Sequence, residues 1–225
     1  MKELPLFKNG TAIDLAAIPR LARREFAALI KTWLNENLRL VAYFALPEGG
    51  APDAPLGLYV VLADDTAGVL AMVGCEPQRE MVSLTPEIPQ LHLFEREIAE
   101  QWGVVFTGHP WFKPLRFHTA NPGRGDAWGR EPSRHPQVGE MEYFTVEGEE
   151  VHEVAVGPVH AGVIEPGHFR FQCYGERVLH LEISLGYQHR GAARLLAGGP
   201  WPATPMQIET LAGDTTIVMP PPTPW

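Results

Sequence analysis

The stretch GPVHAGVIEPGHFRFQCYGE, residues 157–176, gathers His160, Glu165, His168, Arg170 and Cys173 into one turn-rich segment. Those types suit proton handling, because imidazole titrates near neutrality and a nearby carboxylate can relay what it gives up. Gly167 would let the backbone approach whatever the segment faces. Further along, GYQHRG (186–191) sets His189 beside Arg190. Each has a plainer reading, a hydrogen-bonded structural imidazole or a surface arginine at a strand end. A second cluster lies upstream in LFEREIAEQWGVVFTGHP (93–110), where Glu95, Arg96 and Glu97 precede Glu100, Trp102, Gly103 and His109. On charge alone the triplet is a solvated helical face with weak ion pairs. The turn chemistry of Gly103 and of Gly108 to Pro110 instead aims the helix end and His109 at a neighbour.

The elements that must position these residues are legible in outline. From Pro19 to Asn37 the apolar residues Phe26, Leu29, Ile30, Trp33 and Leu34 recur at helical spacing. Three apolar, β-branched and aromatic runs follow, at Leu38–Leu46, Leu56–Ala63 and Ala67–Cys75, with turn composition between them. A short strand over Glu80–Leu84 leads to a helix entered near Thr85 and Pro89 and ended at Gly103, with Leu91, Phe94, Ile98 and Trp102 on one face. Residues 121–138 mix Pro, Gly, Arg and Asp without period, which reads as a linker. Beyond it EMEYFTVEGE and VHEVAVGPVHAG read as strands, HFRFQCYGERVLHLEISLG as a β-hairpin turning at YGER, and MQIETLAGDTTIVMPPPTPW as a helix start that breaks into a proline-rich end. The fold class is therefore α+β: residues 1–117 as helices on a mainly antiparallel sheet, 118–150 as an extended arm, and 151–225 as a β-rich second unit.

Composition excludes several functions. A formal charge of −9 across 225 residues argues against a nucleic-acid partner bound through a general basic field. Only Cys75 and Cys173 are present, too few and too far apart for a disulfide framework or a zinc site. The N-terminus lacks the apolar core of a secretory signal, and no run approaches the roughly 18 apolar residues of a membrane span. A cytoplasmic chain is expected.

The upstream cluster resembles the signature of the 30 kDa subunit of respiratory complex I, with Glu at 100 and Trp at 102 where Asp and Phe are usual. VAVGPVHAGVIEPGHFRF and LEISLGYQHRG resemble the start of the 49 kDa subunit and of the large subunit of energy-converting [NiFe] hydrogenases. The order of the two units is that of the formate hydrogenlyase-type fusion. The resemblance implies a peripheral subunit on the inner face of the cell membrane, passing electrons from a partner's iron–sulfur cluster to a quinone-like acceptor. Under it, His168 and Glu165 are the catalytic pair, and His160, Arg170, His189 and Arg190 line the cofactor side, with Arg190 raising the cluster potential. Glu95, Arg96, Glu97, Glu100, Trp102, Gly103 and His109 become partner-docking residues. No cofactor is expected on this chain alone, and membrane subunits are reached only through partners. Two departures stand out. Ala212, Gly213, Asp214 and Thr215 fall where hydrogenases carry a Cys-x-x-Cys pair, which disfavours a nickel–iron centre. The chain also ends in VMPPPTPW where the 49 kDa fold continues for roughly three hundred residues, so a truncated domain is expected. The rival expectations are a non-catalytic docking module and, further off, a diverged hydrogenase piece.

Overall fold

The computed structural model describes residues 4–36, 38–51, 54–121, 123–130, 136–196 and 202–211. They divide into two units, Met1–Tyr143 and Phe144–Trp225, and the class is the expected α+β. The first unit runs β1 (Leu6–Phe7), β2 (Arg20–Leu21), α1 (Arg23–Asn35), β3 (Arg39–Pro47), β4 (Leu56–Asp64), β5 (Val69–Cys75), β6 (Glu80–Val82), α2 (His92–Trp102) and β7 (Val105–Thr107). β3, β4 and β5 form the expected antiparallel meander. On the other edge of β5, β1 pairs antiparallel and β2 parallel.

Side chains along β4 alternate between two environments. Leu58, Val60 and Leu62 enter the main core with Phe26, Ile30, Leu91, Ile98 and Ala99, while Tyr59 packs on the opposite face with Ile18 and Met72. Both faces are covered, which is why the run LGLYVVLAD is apolar almost throughout. The helix expected from Pro19 begins at Arg23 because Arg20 and Leu21 are drawn into pairing with Gly74 and Cys75. The second helix starts at His92 after a 3-10 turn at Pro89–Leu91, since prolines at 86 and 89 withhold the donors an earlier start would need. β6 finds a parallel partner in β7, a strand the sequence pattern did not announce.

The expected arm over 118–150 is corrected in its first part. Ala127 and Trp128 pack on the main core. The Ala127 N–H donates to the Ala99 carbonyl at 3.0 Å, and the Trp128 indole to the Phe112 carbonyl at 3.3 Å. The segment looked like a linker because it packs through isolated side chains rather than through a periodic face.

The second unit holds β8 (Val151–Val156), β9 (His168–Tyr174), β10 (Arg177–Ser184), α3 (Ala192–Leu196) and α4 (Thr204–Glu209). The three strands form one antiparallel sheet in the order β10, β9, β8, and the hairpin turns at Gly175 and Glu176 as expected. EMEYFTVEGE is not a strand. Its amides go to side chains instead, Phe144 N–H to the Glu182 carboxylate at 2.6 Å and Val146 N–H to Gln172 Oε1 at 3.5 Å. The register places Val154, Val156, Phe169, Phe171, Leu181 and Ile183 on one face, and Glu153, His168, Arg170, Gln172, Glu182 and Ser184 on the other. Residues 212–225, which include the positions compared with the cysteine pair and the proline-rich end, lie outside the described residues.

Candidate functional site

The upstream cluster is a clamp inside the first unit. Glu95 lies one turn after Leu91 and one before Ile98 and Ala99, on the stripe of α2 that faces the core. Its carboxylate is 0% exposed and accepts from the Leu84 N–H at 2.8 Å, the Ser83 hydroxyl at 2.5 Å and the Thr85 hydroxyl at 2.7 Å. Burial pushes its carboxyl above the ordinary range, and those donors pull against the rise. Glu95 therefore anchors the segment after β6 to α2.

Arg96 and Glu100, one turn apart, grip a second segment. Arg96 donates from Nε to the Lys113 carbonyl and from its terminal nitrogen to the Pro114 carbonyl, both at 2.7 Å. Glu100, also 0% exposed, accepts the N–H groups of Leu115 at 3.3 Å, Arg116 at 2.7 Å and Phe117 at 2.8 Å, and pairs with Arg130 at 3.1 Å. One side chain takes the segment's carbonyls and the other its amides, which holds Phe117 at φ 54, a left-handed conformation that a phenylalanine does not hold unaided. Burial pulls the Arg96 guanidinium down to about 10, with the Glu100 charge opposing. Glu97 alone points outward, to Arg116 at 3.1 Å.

His109 closes the clamp. Its Nδ1 accepts the Trp111 N–H at 3.0 Å, so the ring proton sits on Nε2, which meets the His92 carbonyl at 3.2 Å. The ring stacks on His92 with centroids 5.2 Å apart. Burial holds both imidazoles below their ordinary value, and each is further lowered by Arg96. The solvated-face reading of the triplet is thus corrected for Glu95, and Glu95, Arg96, Glu100 and His109, expected to dock a partner, all bond within the unit. Trp102 and Gly103 do reach a surface, where they line a groove of about 400 Å³ with Arg79, Arg124 and Asp126. Gly103 has φ 72, and a Cβ there would come within 2.6 Å of the Gly125 carbonyl oxygen. The signature glycine is required by that close approach.

The second cluster sits on the polar face and leading loop of the β8–β10 sheet. His168 begins β9, half-buried, opposite Ser184. Arg170 makes a bidentate pair with Glu153, both bonds 2.7 Å, and Gln172 donates to the same carboxylate. His160 Nε2 meets the Gly167 carbonyl at 2.8 Å while its ring packs edge-on against Phe169. Gly157, at φ 91, leaves no room for a Cβ against that same carbonyl, so the loop 157–167 is pinched shut at its base. The close approach expected at Gly167 is made by the chain's own backbone. Glu165 stands exposed in the loop, and no hydrogen bond among the described residues joins it to His168. His189 Nδ1 accepts the Gly191 N–H at 2.9 Å, and Arg190 donates to the Thr210 carbonyl at 2.6 Å. The six residues read as one wall divide accordingly. Arg170 and His160 brace the sheet and loop, Arg190 joins α4 to the segment after β10, and His168 lies half-buried at the start of β9. Ser184, which sequence reasoning missed, is its cross-strand neighbour; no motif marked it, and only the register reveals it.

Among the described residues no group of three or more His, Cys, Asp or Glu is placed to hold a metal ion. Cys75 and Cys173 are buried free thiols, and burial pushes Cys75 up to about 11, which keeps that thiol protonated.

Residues 24–135 match the family model described as respiratory-chain NADH dehydrogenase, 30 Kd subunit. The chain is 33% identical over 134 residues to hydrogenase-4 component G of Escherichia coli, covering 56% of this chain and 24% of that protein. It is 29% identical over 124 residues to formate hydrogenlyase subunit 5 of the same organism, covering 52% and 22%. Against the C/D subunit of NADH-quinone oxidoreductase from Bacteroides fragilis it is 26% identical over 200 residues, covering 75% and 37%. The chain spans about a quarter of the length of the first two relatives. The first unit ends at Tyr143 of 225 residues, so a match over 75% of the chain reaches both units.

Proposed function

We propose, from the match of residues 24–135 to the family model described as respiratory-chain NADH dehydrogenase, 30 Kd subunit, that the chain is a peripheral subunit of a membrane-bound, complex-I-like oxidoreductase. Electrons arrive from an iron–sulfur cluster held by a partner subunit and pass to a quinone-like acceptor. Two electrons and two protons convert a quinone to its quinol, and His168 supplies one of those protons, with Glu165 returning it from solvent. Among the described residues no helix is long and apolar enough to cross a membrane, and attachment at the inner face is assigned to partner subunits.

One observation carries the reading. His168 lies on the polar face of a three-stranded sheet, beside a pinched loop, in a unit that follows a 30 kDa-family domain. A relative named for quinone reduction aligns across both units in that order. The loop's apolar residues support an apolar neighbour, since Val159 and Val163 are 74% and 83% exposed.

A second reading, a docking module without chemistry, is favoured by the internal partners of Arg170, His160 and Arg190. His168→Ala in the assembled complex separates the two. The redox reading expects acceptor reduction to fall about 100-fold, the lower end of general acid effects, with the complex intact by gel filtration. Unchanged turnover in an intact complex would make the chain a docking module.

A further inference from the structure

Residues 108–112 bridge two anchored stretches of the first unit. Before them, the Thr107 carbonyl accepts the Ser83 N–H at 2.9 Å beside the β6–β7 pair. After them, Arg96 holds the Lys113 and Pro114 carbonyls, and Glu100 holds the amides of Leu115, Arg116 and Phe117. Between these anchors the bridge is tied through His109, whose ring Nδ1 accepts the Trp111 N–H at 3.0 Å while Nε2–H meets the His92 carbonyl at 3.2 Å. The residue is 8% exposed. The indole nitrogen of Trp111 is shut off from solvent with no acceptor among the described residues. A buried donor without a partner favours any state that gives it water, so the closed bridge is poised against the bonds of one imidazole. The charged and titratable groups that face the His92 and His109 rings are Arg96 and the rings themselves. Glu95, on the same helix, turns to Ser83, Leu84 and Thr85, and Lys113 turns to the Glu142 carbonyl and the Tyr143 ring.

We infer that His109 is an acid latch: a proton from solvent on Nδ1 replaces the acceptor of the Trp111 N–H with a second donor and releases residues 108–112, while the anchored stretches on either side stay in place. A neutral imidazole has one acceptor nitrogen and the charged ring has none. The new charge enters a site that already holds the Arg96 guanidinium and a stacked imidazole 5.2 Å away, so the closed form resists the proton and the open form takes it. In the open form the ring titrates near its ordinary value of about 6.5. The latch is therefore fully closed above that pH and is lost as pH falls below it. Opening gives the Trp111 indole its water and bares the Trp111 and Phe112 rings. The device uses no group of the second unit, so it stands apart from the redox reading above.

The experiment reads single amides in this 225-residue chain. Hydrogen exchange followed by NMR gives the protection factor of the Trp111 amide, corrected for the intrinsic exchange rate, from pH 7.5 to 5.5. It should lie below those of the Leu84, Arg116 and Phe117 amides, which Glu95 and Glu100 hold, because a local opening is easier than unfolding of the unit. It should be level above about pH 7 and fall by up to about tenfold per pH unit below about 6.5. His109→Asn sets an amide oxygen near the place of Nδ1, which accepts the Trp111 N–H and does not titrate, so the Trp111 profile becomes level. Imidazole ¹⁵N shifts of the wild type should show Nδ1 bare at pH 7.5 and protonated over the range where Trp111 loses protection. A level wild-type profile overturns the latch, as does a slope that survives in His109→Asn. So does a Trp111 protection factor equal to those of the other three amides at every pH, which would mark unfolding of the whole unit. Where His109→Asn does not fold, the comparison of the four amides and the ¹⁵N shifts in the wild type decides alone.

Discussion

Glu100→Gln tests the claim that the signature charges are a folding clamp. The carboxylate makes four bonds, Oε1 to the Phe117 N–H and Arg130, and Oε2 to the Arg116 and Leu115 N–H groups. Whichever oxygen becomes an amide nitrogen, it turns a donor against two donors, and the two surviving bonds lose the help of the charge. Hydrogen bonds to charged groups contribute about 1.5–3 kcal/mol each, so two lost bonds cost roughly 3–6 kcal/mol. Domains of this kind are stable by roughly 5–15 kcal/mol, and such a loss moves the midpoint of the first unit down by roughly 10–20 °C. Glu97→Gln is the control. It breaks one half-exposed pair with Arg116 and costs under about 1 kcal/mol. Calorimetry gives the midpoints, and hydrogen exchange localises the effect, because the Arg116 and Phe117 amides should lose protection only in the Glu100 variant. If Glu97→Gln destabilises as much as Glu100→Gln, the clamp is not what holds residues 113–117.

Acid should loosen the same region. Burial holds His92 and His109 below their ordinary value, so the unfolded chain takes the proton first, and their contribution is full above about pH 6.5 and lost below it, at no more than about 1.4 kcal/mol per pH unit for each ring. Glu95 and Glu97, whose carboxyls are raised by burial, act in the opposite sense nearer the carboxylate range. Urea unfolding between pH 7 and 5.5 therefore isolates the imidazoles, and a flat profile there would refute their burial as neutral rings. Gly103→Ala adds a Cβ in a left-handed backbone against the Gly125 carbonyl and should cost about 2–4 kcal/mol; a neutral effect by the same unfolding assay would mean the 123–126 segment yields. Arg190→Gln should lower the midpoint potential of the partner's nearest cluster in a redox titration of the complex, whereas Arg170→Gln combined with Glu153→Gln, which leaves the net charge unchanged, should not; equal shifts would deny Arg190 a special place.

The meander was legible because β3, β4 and β5 are long apolar runs between turns, and the hairpin because Gly175 and Glu176 sit between two alternating strands. Glu95 carried a signal that charge counting hid: a carboxylate in step with Leu91, Ile98 and Ala99 faces the core whatever its neighbours 96 and 97 do. Glu100 carried none. Its partners lie 15 to 30 residues downstream in irregular backbone, where no period announces packing, and the same lack made Trp128 and Arg130 look like an arm. In the second unit the residues of the site were named from their motif, but their partners were not, because Glu153 meets Arg170 and Ser184 meets His168 only through strand register. Register depends on the bulge between Val178 and His180, a one-residue detail that the sequence pattern does not mark.

That register also divides the arginines by what they can do at a distance. Arg170 faces a carboxylate, so beyond a few ångströms the pair presents little field, and its service is to hold β8 against β9. Arg190 donates to the carbonyls of Thr210 and Leu211, partners that orient a guanidinium without cancelling its charge. A cation held this way is fixed by neutral partners, while a cation paired like Arg170 supplies rigidity. His168 lies on the sheet that Arg170 stiffens. His168 is thus set on the braced part of the unit, and Arg190 follows the end of β10 opposite the hairpin turn, past Ser184.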